Sequence, residues 1–329
     1  MTDISISLSG VTGVDWPRWQ RLATEVEALG FAGLYRYDHF AAPYPMGVPE
    51  NDNLDLTASL TWLASHTQRI RFGPLVAPFS IREPHLLVRQ ATAIDDLSGG
   101  RFVLGVGAGG MEREHAMFGY ELGDIRTRMD RFEEGLAVVT GLLRSPEPFT
   151  FEGRFFQMRE AVIMPRPQRP QRPQGPPLMV GGKGPKRSLP LVARYADIWN
   201  VDFMAVDLLR ERSALLDQLL VAEGRQSGDV KRTAAVRVFC GKDPAELDQR
   251  LRGLHLLFPA WAALSPEERM EKASQTFGGS IIGTPEEVVA QLRAYTDLGL
   301  DELMLHWTVS GDIEGLQLLA EYVLPHFAE

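Results

Sequence analysis

The sequence predicts an α/β protein, a closed (β/α)8 TIM barrel with an insertion after its fourth βα unit. Two observations carry this. Eight short apolar runs read as strands, and a segment of helical periodicity follows each. Strict alternation implies a parallel sheet, and eight such units within 329 residues fit a barrel with room for one insertion. A doubly wound open sheet is the alternative.

The alternating run Ile4 to Ser9 opens the pattern. Pro17 starts a helix with Trp19, Leu22, Ala23, Val26 and Leu29 on one face, and Gly30 ends it. Gly33 to Tyr37 is the second strand, Leu56 to Ala64 a helix, and Ile70 to Ala77 the third strand. His85 to Leu97 is helical and closes at Ser98-Gly99-Gly100. Phe102 to Val106 is the fourth strand. A long amphipathic helix, Arg128 to Leu143, buries Met129, Phe132, Leu136 and Val139.

The alternation then pauses over 145–177. Phe149-Thr150-Phe151 and Phe155-Phe156 are short aromatic pieces. The six prolines from Pro165 to Pro177 favour polyproline II and read as an extended strap across the body. Leu178 to Val180 resumes the pattern and leads into a helix reaching Arg194. Asp197 to Val201, Ala234 to Cys240 and Glu302 to Trp307 are the remaining strands. Leu208 to Glu223 is a helix, and the last one runs from Leu316 to Phe327. Asp243-Pro244, Ser265-Pro266 and Thr284-Pro285 each precede a glutamate in capping-box position. The whole of 1–329 reads as one domain.

Composition narrows the function. Hydrophobic residues make up 44% and charged residues 23%, which excludes a disordered or fibrous chain. A net charge of −9 argues against nucleic acid or an anionic membrane as partner, since phosphate binding needs clustered cations. The single cysteine, Cys240, excludes an intramolecular disulfide and a cysteine-built metal site. No apolar run is long enough to span a bilayer, so a cytoplasmic protein is expected.

In a barrel, chemistry gathers where strands end. The second strand ends in Asp38-His39, a carboxylate and an imidazole suited to proton transfer. The fourth ends in Gly107-Ala108-Gly109-Gly110, where glycines let a ring or phosphate approach backbone N–H groups. The fifth ends in Gly181-Gly182-Lys183-Gly184, followed by Lys186 and Arg187 at a helix start, an anion site. Glu112, Glu114 and His115 read as solvated charge rather than a metal cluster, and no metal is expected.

These segments together resemble the bacterial luciferase-like superfamily. The resemblance rests on Asp38-His39-Phe40, Ser98 to Phe102 leading into Gly105 to Gly109, and Glu114-His115 before Phe118-Gly119. Gly181-Gly182, Ala193 to Asn200 and Ile282 to Glu287 add to it. Within the superfamily, Gly107-Ala108-Gly109, Glu112 to His115, Arg126 to Glu134 and Glu160 to Pro167 resemble the oxidoreductases that use the deazaflavin coenzyme F420.

The resemblance implies a flavin or deazaflavin across the barrel mouth. It also implies a non-prolyl cis peptide at Leu75-Val76 supporting the ring. The cofactor's phosphate and tail would meet Gly107 to Gly110 and Gly181 to Lys183, and Lys183, Lys186 and Arg187 would face its anionic tail. Gly110 and Pro43 stand where the family's sugar-phosphate dehydrogenases carry Glu and Trp, which points toward a reductase or monooxygenase.

The expected activity is hydride transfer between F420 and a small organic substrate, with His39 moving the proton and Asp38 orienting it. FMN-dependent monooxygenation is the alternative, and a flavin-binding protein without turnover the second. A homodimer is expected.

Overall fold

Strands and helices alternate around one nearly closed parallel sheet. In this computed structural model the described residues are 2–9, 13–41, 52–164 and 175–327. The first half runs β1 (Asp3–Ser9), α1 (Trp16–Ala28), β2 (Gly33–Tyr37), α2 (Leu56–His66), β3 (Arg71–Pro74), β4 (Ala77–Pro78), α3 (Pro84–Leu97), β5 (Leu104–Gly107), α4 (Glu112–Phe118) and α5 (Ile125–Arg144). An antiparallel hairpin of β6 (Phe149–Glu152) and β7 (Gln157–Ala161) follows, outside the barrel sheet.

The second half runs β8 (Leu178–Gly181), α6 (Ser188–Tyr195), β9 (Ile198–Asp202), α7 (Val206–Ala222), β10 (Lys231–Cys240), α8 (Pro244–Arg252) and α9 (Pro266–Thr276). It ends with β11 (Ile281–Gly283), α10 (Pro285–Thr296), β12 (Glu302–Trp307) and α11 (Ile313–Tyr322). The prolines Pro244, Pro266 and Pro285 each open a helix, and Ser265 and Glu268 form a reciprocal capping box. Residues 165–174 of the expected strap lie outside the described residues, as does Pro43. No helix among the described residues is long and apolar enough to cross a membrane.

The sheet order is β3-β2-β1-β12-β10-β9-β8-β5-β4, every pair parallel. β3 and β4 are one run of chain, so the two ends of this path meet and the sheet curls into a barrel. β1 pairs with the last strand, β12, and the path ends β3 and β4 meet, so the ring closes and replaces the doubly wound alternative. β11 adds a short strand beside the end of β10.

Three details differ from the sequence reading. The third strand is broken at Leu75-Val76, a cis peptide: up to Pro74 it pairs with β2, and from Ala77 it pairs with β5. Residues 112–118 form a helix rather than an open charged loop. The last helix stops at Tyr322, ahead of Pro325, which lacks a backbone donor to continue the ladder.

The barrel interior is layered. Leu75, Val103, Met179, Ile198, Ala235 and Met304 fill the middle. Below them, at the strand N-termini, Glu302 accepts from Tyr35 Oη at 3.3 Å and from Ser5, and pairs with Arg71 at 3.2 Å. Arg71 also meets Asp3 at 2.7 Å. This cluster neutralises a buried carboxylate at the face that carries stability rather than chemistry. A separate apolar cluster of Phe239, Leu251, Trp261 and Phe277 lies beyond the end of β10.

Glycine allows the strand break. A Cβ at Gly105 would stand 2.0 Å from the Pro74 carbonyl oxygen, so β5 and β3 approach only with hydrogen at that position. Replacing Gly105 by Ala is expected to cost at least about 2 kcal/mol in urea unfolding, because backbone must shift. Gly278→Ala, with open space at the Cβ, should stay within about 0.5 kcal/mol of the parent.

Candidate active site

The strand ends surround a cavity of about 960 Å³ at the C-terminal mouth of the barrel. It gathers most residues expected from the sequence: Asp38, His39, Leu75, Val76, Gly107 to Gly110, and Gly181 to Lys183. Gly184 lies outside the lining, where its carbonyl accepts the Leu189 N–H as α6 begins. Tyr37, Glu114, Asn200 and Asp202 also line it.

His39 is part-exposed, and its Nδ1 lies 3.3 Å from Glu114 Oε1. The other oxygen, Oε2, accepts from the Phe40 backbone N–H at 2.9 Å. Glu114 is fully buried on α4, which corrects its reading as solvated charge. The heptapeptide helix turns Glu114 and His115 inward while Glu112 and Arg113 line the rim. Carboxylate contact at Nδ1 places the proton there and leaves Nε2 as the lone pair.

Asp38 does not orient His39. Its carboxylate is buried and takes a bidentate fork from Arg82, Nε at 2.9 Å and Nη2 at 2.8 Å. The His39 backbone is held instead through Asn53, whose amide donates to the His39 carbonyl. Asn53 Oδ1 in turn accepts from Arg36 Nη2 at 2.6 Å. Burial lowers the Arg36 pKa to about 10, against the pull of Asp38 and Asp55, and its guanidinium lies over Trp19.

Two of the glycines also serve the packing of the strand break. Val76 projects from the cis-linked turn onto bare backbone: a Cβ at Gly107 would stand 2.5 Å from Val76 Cγ2, and one at Gly181 3.1 Å from Cγ1. On the Cβ side of Gly107 and Gly181 the space is filled by Val76, while both glycines still line the cavity. Val76 itself becomes an apolar ledge facing the cavity. Gly109, at φ +82, packs against Ser80, whereas Gly110 is open, with Arg128 Nη1 at 3.6 Å its nearest neighbour. Among the basic residues, Lys183 and Lys186 are exposed, while Arg187 pairs with Asp130 at 2.7 Å.

Under the cavity the barrel interior turns polar. Tyr37 Oη donates to Asp202 Oδ1 at 3.1 Å. Burial pushes the Tyr37 phenol well above the usual range, and the neighbouring Asp202 charge adds to this. Burial also raises the Asp202 carboxyl, opposed by the Tyr37 bond and by Lys183, His39 and Arg237. His306 packs edge-on to Tyr37 and Phe203, and burial together with Arg237 and His39 depresses its pKa to about 3. Among the described residues, no group of three or more His, Cys, Asp or Glu could hold a metal ion.

The sequence showed Asp38 and His39 through their place after a strand. It did not show Glu114, because helix phase inside a charged seven-residue stretch is not legible. Tyr37 was placed on its strand, and period-2 alternation with Tyr35 was the signal that it faces inward. Asp202 fell one residue beyond the strand end inferred from Val201.

A parallel barrel with a deep mouth, a histidine–carboxylate pair on one side and an apolar ledge on another is the architecture of a small-molecule enzyme cleft. The chain belongs to the luciferase-like monooxygenase family, which it matches over residues 2–302. An F420-dependent glucose-6-phosphate dehydrogenase of Kineococcus radiotolerans is 27% identical over 305 residues, covering 86% of this chain and 85% of the relative. A limonene 1,2-monooxygenase of Rhodococcus erythropolis is 26% identical, covering 93% and 80%. Among solved structures, an F420-dependent secondary alcohol dehydrogenase in complex with an F420-acetone adduct superposes with a TM-score of 0.81 at 20% identity, covering 100% of this chain and 99% of that one.

Two outcomes follow from the charges. Arg82→Ala leaves the buried Asp38 carboxylate unpaired and should cost about 3 kcal/mol in urea unfolding; adding Asp38→Asn should recover part of the loss. His306 binds a proton in the unfolded chain but not in the fold, so its contribution is present above pH 6.5 and is lost as pH falls toward 3. Between pH 7 and 5 that loss is about 2 kcal/mol, and His306→Gln should flatten the stability profile by this amount.

Proposed function

We propose that this protein transfers hydride between coenzyme F420 and a small organic substrate. The observation that carries the reading is the His39–Glu114 pair facing the same cavity as the Val76 ledge. Membership of the family and similarity over 86% of the chain to an F420-dependent dehydrogenase support the choice of cofactor.

The residues present fit a flavin-like ring. Val76 offers an apolar surface braced from behind by Gly107 and Gly181, and Gly110 leaves open space beside it. Gly107 to Gly110 and Gly181 to Lys183 would hold the cofactor, with Lys183 and Lys186 toward its anionic tail. A bound deazaflavin supplies the hydride donor or acceptor. The protein handles the proton: His39 takes it at Nε2 from a substrate hydroxyl, or delivers it to a carbonyl in the reverse direction. Glu114, buried beside it, compensates the charge that His39 gains. Asp38 acts only through the packing of its Arg82 pair.

The form proposed is a cytoplasmic homodimer, twofold dimers being the commonest oligomers. One domain spans 1–329, with 145–177 as the insertion.

Titration with F420 and with FMN, followed by fluorescence quenching, tests the cofactor. Micromolar binding of F420 alone is expected. Tight FMN binding instead would move the protein to the oxygen-using branch of its family, and binding of neither would support a protein without turnover. His39→Ala should keep F420 affinity while turnover of short secondary alcohols and ketones falls by about 10²–10⁴-fold. Undiminished turnover would remove His39 from the proton step.

A further inference from the structure

Asp202 is a cavity carboxylate that the proton-transfer scheme does not use. It occupies the last position of β9 and is half-buried on the cavity wall. Its Oδ1 is bonded to Tyr37 Oη at 3.1 Å, whereas Oδ2 makes no hydrogen bond among the described residues.

The backbone after Asp202 holds it in place. The next residue, Phe203, lies in the left-handed region at φ +48, a conformation that bulky residues rarely adopt. Its N–H bonds the Ala235 carbonyl at 2.8 Å, and its ring packs against His306 and under Arg237. The strand therefore turns away immediately after Asp202 and leaves its carboxylate facing the mouth. Tyr37 bridges the two functional walls: its ring stacks parallel to His39 with 6.2 Å between centroids, and its hydroxyl reaches Asp202. His39 and Asp202 thus line the same cavity, both in contact with Tyr37.

The surrounding charge selects what Asp202 can bind. Lys183, His39 and Arg237 all act on its carboxylate. An incoming ammonium would meet Lys183 and Arg237, and an incoming carboxylate or phosphate would meet Asp202 itself. A neutral hydrogen-bond donor suits both.

We propose that Asp202 is a specificity-determining residue, whose free oxygen accepts a hydrogen bond from a neutral hydroxyl beside the substrate carbon that exchanges hydride. The substrate class is then vicinal diols and α-hydroxy ketones. This rests on the hydride-transfer reading of the same cavity.

The test compares hydroxyacetone with methoxyacetone, which differ in one donor hydrogen and a methyl group. Binding of each to the F420-loaded protein is measured by saturation-transfer NMR, for the parent chain and for Asp202→Asn. The amide keeps an acceptor for Tyr37 and presents an N–H that both probes can accept. Hydroxyacetone should bind the parent about tenfold more tightly, and the preference should fall to about one in Asp202→Asn. Equal binding to the parent, a preference that survives in the variant, or failure of both probes to bind overturns the assignment. F420 quenching on the same samples separates the two levels. A parent chain that does not bind F420 sinks the hydride-transfer reading, whereas quenching without a hydroxyl preference sinks only the role of Asp202.

Discussion

The mouth of the barrel depends on the contact between the Pro74 carbonyl and Gly105. With no side chain at Gly105, the backbones of β3 and β5 approach closely enough for the chain to leave β2 and join β5 within two residues. The cis peptide Leu75-Val76 lies at that transfer. Val76 lies against Gly105, Gly107 and Gly181, three positions where a Cβ would crowd its side chain. A glycine pattern at a strand end is therefore compatible with two occupants, a ligand or a neighbouring residue. Here the neighbour takes the Cβ side of Gly107 and Gly181, and both glycines line the cavity beside it.

Charge inside the barrel is separated by depth. At the base, Glu302 is surrounded by Arg71, Tyr35 and Ser5, so its buried carboxylate is satisfied within the protein. The apolar middle layer, with Met179, Ile198 and Met304, keeps that cluster apart from the mouth. At the mouth, Asp38 is likewise closed off by Arg82, and Glu114 spends both oxygens on His39 and Phe40. His39 and Asp202 are left with polar atoms turned toward solvent. The same rule, that a buried charge needs partners, decides which groups are structural and which are free to meet a substrate.

Much of the scaffold was legible in the sequence because it repeats a strong local signal. Gly33–Tyr37 and Glu302–Trp307 are apolar runs with clear ends, and both strands keep those limits. His39 was legible for the same reason, as a reactive group just past a strand. Glu114 was not, since its role depends on which face of α4 meets the turn after β2, a tertiary fact. Arg36 was visible only as one residue of a strand; its bonds to Asn53 and Ser59 cross from β2 to residues brought near by folding. The glycines were read for conformational freedom and ligand approach, while the determining contact, Val76, lies about thirty residues upstream of Gly107 in sequence.

The seam that completes the barrel joins its first strand to its last. β1 pairs with β12 from Asp3 with Glu302 to Leu8 with Trp307, and Thr2 Oγ1 donates to the Leu300 carbonyl at 2.8 Å. Every other strand needed for the ring lies between them in sequence, so this pairing closes the longest loop in the fold. Its entropy must be offset before the strands reward it. Ile4, Ile6 and Leu8 on β1 consequently wait, with one edge unpaired, until residues 302–307 arrive. This pairing has the largest sequence separation in the barrel, and until it forms the unpaired edge of β1 is open to misassociation between chains.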